Sequence, residues 1–244
     1  MNYKIHKVIA SLFILLSNDA ISRAGGGGGG HSSGGHSFSR TYHNDGSYTD
    51  NSFIVYLVIL GLFIFIIYSI ILSYLYFIKS KKSKKTLLLA SNRDSVWDLE
   101  TIKSHTFDVF CKTQKAWENR SLGSVKSLIS KELYDDLDLK ITELRKEGKK
   151  NILEEITVNQ ITLLSCLDFK DNSKDEYMAQ IDGQMIDYTI DDKGHAIIEN
   201  QSKSMAGFTD CYEFIRKENK WILNKIYNDT GIFHVMDAKS HYEK

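Results

Sequence analysis

An uncharged run extends from Phe53 to Ile78 and is followed at once by Lys79, Lys81, Lys82, Lys84 and Lys85. A helix of that length, about 26 residues, would reach about 39 Å, more than the roughly 30 Å of a hydrocarbon core. Residues 53–78 are therefore expected to form one transmembrane helix. Lysines resist transfer across a bilayer, so five of them at one end place that end, and everything after it, on the cytoplasmic side.

The start of the chain is consistent with that orientation. Lys4 and Lys7 precede the apolar stretch Val8 to Leu16, which is too short to span, and Ala20-Ile21-Ser22 or Ser22-Arg23-Ala24 offers small residues where a signal peptidase reads. Residues 1–24 are expected to be a signal peptide and residues 53–78 the stop-transfer segment. Between them, residues 25–52 open with Gly25 to Gly30 and hold almost no aliphatic side chains. Such a segment buries too little apolar surface to offset its backbone entropy, so it reads as a glycine-rich flexible exported segment. His31, His36 and His43 lie within it without helical spacing or a thiol partner, and no metal is assigned to them.

The balance of 31 basic and 31 acidic residues hides an asymmetry, because the lysine run alone supplies five positive charges and the part after it is acidic. An acidic domain argues against nucleic acid as a partner, since phosphate neutralisation needs a cationic surface. The lysines, in a short basic linker at residues 79–95, are expected at the membrane surface against anionic lipid heads. Cys111, Cys166 and Cys211 all follow the apolar run, are odd in number and form no C-x-x-C. That pattern suits a reducing compartment, with each thiol more readily a small buried hydrophobe than a nucleophile.

The remaining sequence reads as one domain over residues 96–229, with a C-terminal tail at 230–244. Ile102, Thr106, Val109, Phe110, Thr113 and Trp117 recur at three and four, the spacing of one helical face. A second stripe, Val125, Leu128, Ile129, Leu133, Leu137, Ile141 and Leu144, ends at the turn of Gly148. After Asn151 the period moves towards two. Ile156 to Leu167 reads as a long bulged strand, Tyr177 to Tyr188 as a second, Phe208 to Arg216 as a third, and Trp221 to Tyr227 as a fourth, with Asp191 to Gly194 a turn. Helices grouped before antiparallel strands give an α+β class, helices packed on one side of a curved antiparallel sheet.

The segment Phe208-Thr209-Asp210-Cys211-Tyr212-Glu213-Phe214-Ile215-Arg216, with Trp221-Ile222-Leu223 and Ile226 after it, resembles the strand pair near the end of the Tim44-like domain. Phe107, Phe110 and Trp117, Leu137, Ile141 and Gly148, and Met185 to Tyr188 extend the resemblance over roughly residues 94–229. Asp210 stands where the family pattern has glutamate and Tyr212 where it has tryptophan. The glycine-rich segment before a single membrane helix resembles bacterial members, which implies a bacterial-type inner membrane. The resemblance also implies a cone of the nuclear-transport-factor-2-like type around an apolar pocket, and a scaffold role near the membrane, linked to membrane-protein or translocase assembly and with a protein partner. Phe208, Asp210, Tyr212, Phe214 and Trp221 are expected as pocket or ligand-binding residues. No cofactor is implied and no catalytic residue is assigned. An enzyme of isomerase or dehydratase type, or a lipid or small-molecule binder, stays open as the alternative. Its acid-base group would be Asp210, on the face shared by Phe208, Tyr212 and Phe214.

Overall fold

A computed structural model describes residues 23–24, 52–195, 203–228 and 232–243; the expected signal peptide through Ser22 and the glycine-rich segment from Gly25 through Asn51 lie outside them. The apolar run forms helix α1, Ser52–Ser91, which continues unbroken through all five lysines. At about 1.5 Å per residue, its 40 residues make a rod of about 60 Å. The connection expected as a linker is thus largely helix. Val55 to Ile71 present large apolar side chains outward, and among the described residues α1 is the one helix long and apolar enough to cross a membrane. Below that section the helix acquires a packed face: Leu72, Leu75 and Tyr76, then Ser83, Thr86, Leu87 and Ala90, spaced for one side of a helix, turn toward the domain.

Helix α2, Leu99–Glu118, starts at Asp98, whose carboxylate accepts the Thr101 N–H at 2.8 Å. Its expected stripe is buried in full, from Ile102 to Trp117. Helix α3, Lys131–Lys146, starts at Ser130 and ends against Gly148, whose φ of 65° closes the turn. The second stripe is therefore split: Val125 sits in a 3-10 turn and Leu133 to Leu144 on α3, because Ser130 takes the N-cap.

Four antiparallel strands follow: β1 Lys149–Asp168, β2 Glu176–Asp191, β3 Met205–Lys217 and β4 Lys220–Tyr227. Glu218 and Asn219, both with φ near +50 to +60°, make a two-residue hairpin between β3 and β4. The tail is more than a tail. It folds as α4, Ile232–Asp237, and β5, Ser240–Tyr242, which pairs in parallel with β1 to complete the order β4-β3-β2-β1-β5.

Breaks in the β1–β2 register, with Glu155 in the left-handed region, curve the sheet. Gly183 sits opposite one of them, where an added Cβ would lie 2.3 Å from the Thr157 carbonyl oxygen and 2.6 Å from Phe208 Cζ. Gly183→Ala is expected to destabilise the fold by about 1–3 kcal/mol, read as a lowered midpoint of thermal unfolding, because backbone must move to admit the methyl group.

The concave face packs on α2 and α3 with the main core, and the convex face holds Leu164 and Cys211 under Val235, Ala238 and the Leu72–Leu75–Tyr76 section of α1. Ser83 donates to the Leu163 carbonyl at 2.7 Å, next to a shift in the β1–β2 register. The fold is α+β, helices on a curved antiparallel sheet, with the long apolar helix α1 built into the domain.

Candidate functional site

Alternation along β3 sends Phe208, Asp210, Tyr212, Phe214 and Arg216 to one buried face. The rings there meet rings from α2 and the neighbouring strands. Phe208 stacks on Phe110 at 5.6 Å, Tyr212 meets Phe110 edge-on, and Phe214 stacks on Tyr177 at 4.6 Å. Trp221 lies edge-on to Trp97 and Tyr177. His105 donates from Nε2 to the Trp221 carbonyl and stands edge-on to Phe214. These contacts pack the rings expected as pocket lining against one another. An open depression of about 500 Å³ lies beside Phe208, lined also by Asn159, Gly183 and Gly207, and a groove of about 300 Å³ lies between α2 and β1, lined by Phe107, Cys111, Gln114, Leu153 and Val158.

Asp210 is fully buried. Both of its oxygens receive Arg23: Nε donates to Oδ2 at 3.2 Å and Nη2 to Oδ1 at 3.1 Å, in a pair whose side chains are 6% and 0% exposed. The Arg23 guanidinium also lies over the Phe208 ring, 5.6 Å from its centre. The following residue is held by its backbone. Ala24 N–H donates to Gln114 Oε1 at 3.3 Å, and Asn228 Nδ2 donates to the Ala24 carbonyl at 3.3 Å. Gln114 is itself oriented by donating to Tyr212 Oη at 3.1 Å. Burial, followed by the Asp210 charge, pushes the Tyr212 phenol well above its usual range, so it stays a neutral partner. Two charges taken out of water are tolerated only as such a well-bonded pair.

The sequence placed Asp210 on this face but read Arg23 only as part of a peptidase site, and it did not single out Gln114 or Asn228. The arginine on the same strand, Arg216, lies six residues and about 20 Å from Asp210, too far to pair with it, so a buried aspartate here calls for a distant cation, but nothing in spacing identifies a partner 187 residues away. With both oxygens turned to a guanidinium, Asp210 is here the acceptor of a buried ion pair. Burial also raises the Cys166 and Cys111 thiols, away from the reactive thiolate.

The five lysines separate into two kinds. Lys79 donates to the carbonyls of Met236 at 2.7 Å and Ala238 at 2.6 Å, closing the C-terminal end of α4. It serves the domain where a lipid contact was expected. Lys81, Lys82, Lys84 and Lys85 are exposed. Lys79→Ala is expected to loosen α4, raising amide exchange around Val235 to Ala238, without altering affinity for anionic lipid.

A family model described as the Tim44-like domain matches residues 84–235, starting within α1 and ending within α4. No curated protein matches the chain. Among solved structures, the crystal structure of the intermembrane space region of the chloroplast protein ARC6 is similar at 12% identity, covering 52% of this chain and 95% of that one with a TM-score of 0.38. A solution structure of a de novo designed β-sheet protein is similar at 11% identity, covering 53% of this chain and 85% of that one with a TM-score of 0.27.

Proposed function

The chain belongs to the Tim44-like domain family, and from that premise we propose that it is a membrane-anchored binding or scaffold protein whose domain is held rigidly at a bacterial-type inner membrane. The observation that carries this reading is the continuity of α1: Val55 to Ile71 face outward as lipid-compatible side chains, while Leu72 to Ala90 of the same helix pack on the sheet. No flexible spacer separates anchor from domain, so a partner bound by the domain is held beside the bilayer. Residues 1–24 act as signal peptide, the glycine-rich segment is exported, and the lysines keep the domain cytoplasmic, where it helps assemble membrane proteins or a translocase.

The four exposed lysines add attraction to anionic lipid of about 1 kcal/mol each. A chain beginning at Leu72 keeps the packed face of α1 and drops its outward apolar section. It is expected to leave the membrane fraction yet float with phosphatidylglycerol vesicles at low salt and be released at high salt. Replacing Lys81, Lys82, Lys84 and Lys85 with glutamine should abolish that flotation. Undiminished flotation of the glutamine variant would move the lipid contact elsewhere on the domain.

A further inference from the structure

Arg23 and Ala24 occupy a seat with the features of a peptide-recognition site. A carboxylate accepts two guanidinium N–H groups, an aromatic face covers the cation, and two side-chain amides take the N–H and C=O of the next residue. Ala24 is fully buried, so the position after the arginine takes a small side chain. The side-on fork matches arginine geometry and not the single ammonium of lysine. Among the described residues, the groups that build the seat come from the domain: Gln114 from α2, Phe208, Asp210 and Tyr212 from β3, and Asn228 from the residue after β4.

One crossing of a bilayer by α1 puts residues 23 and 210 on opposite sides. The two would meet only if non-helical chain crossed the hydrocarbon, where backbone groups go unsatisfied. A chain with its helix inserted cannot fill this seat with its own Arg23. We propose that the seat is a peptide-binding site, filled in the inserted protein by an arginine followed by a small residue from another polypeptide on the domain's side, and that Arg23–Ala24 displays the bound pose. The source of that peptide rests on the anchoring reading above; the recognition does not.

The test uses the full chain in detergent, where no bilayer separates the two residues, and the labelled peptide Ser-Arg-Ala-Gly-Gly-Gly as probe. Fluorescence anisotropy should show the peptide binding to the Arg23→Ala chain and binding more weakly to the unaltered chain, whose own arginine competes. Replacing the peptide arginine with lysine, or Asp210 with asparagine in the Arg23→Ala chain, should weaken binding about ten- to a hundredfold. If Arg23→Ala proves too unstable to assay directly, its unfolding midpoint should rise with this peptide and not with the alanine-substituted one. Equal binding of both peptides, or no binding and no rise in midpoint at millimolar peptide, would overturn the site. Peptide binding by a chain that alkaline carbonate strips from membranes would uphold the seat and sink the anchor. Absence of binding by a chain that resists carbonate would do the reverse.

Discussion

Arg216→Ala is expected to destabilise the domain by about 3–5 kcal/mol, because it removes the cation from a buried cluster and leaves its carboxylates behind. Arg216 Nη1 donates to Asp175 at 3.0 Å and Asp94 at 2.5 Å, while Nη2 donates to Asn219 at 2.8 Å. Asp175 is fully buried and would keep the hydrogen bond from the Phe169 N–H. The cluster ties the entry to α2 and the turn before β2 to the end of β3, so its loss loosens three connections at once. Arg216→Lys keeps the charge without the fork and should recover only part of the deficit.

The dependence on pH has a definite sign. Burial pushes the Asp94 carboxyl up, but the Val96 N–H and Arg216 outweigh it and hold it below its usual value. Its contribution is therefore present above the unfolded pKa and lost as pH falls through the folded one. Burial dominates at Asp175 and raises it despite the Phe169 N–H and Arg216. Without Arg216 both carboxyls lose a cation that lowers them, so the folded variant binds protons more readily than the parent. The difference in stability between the two should shrink on acidification, measured by denaturant unfolding across the carboxylate range.

Much of the domain could be read from spacing. Ile102 to Trp117 and Leu133 to Leu144 repeat at helical intervals and are buried as such, and Phe208 to Arg216 alternate into the core. Curvature was foreshadowed by the irregular apolar pattern of Ile156 to Leu167, which spans the breaks in register. The packed face of α1 was hidden because Phe53 to Ile78 is apolar all round, so no stripe stands out, and because Ser83 and Thr86 face the core as polar residues with lysines beside them. Three residues, Ser240 to Tyr242, are too few for a period, and β5 follows from its pairing with β1 alone. At the seat, alternation marked Asp210, whereas the arginine that meets it depends on tertiary structure that no local pattern encodes.

The anchoring account stands on one topological statement: α1 crosses the bilayer once, with the glycine-rich segment outside and the domain inside. The lysines at one end of the apolar run and the outward side chains of Val55 to Ile71 both support it. It also requires that Arg23 and Asp210 of one inserted chain never meet. Protease added to sealed spheroplasts tests all of this together. The account predicts that the glycine-rich segment is cut while the domain from Thr86 onward survives until the cells are lysed. Digestion of the domain in intact spheroplasts, or protection of the glycine-rich segment together with it, would contradict the account.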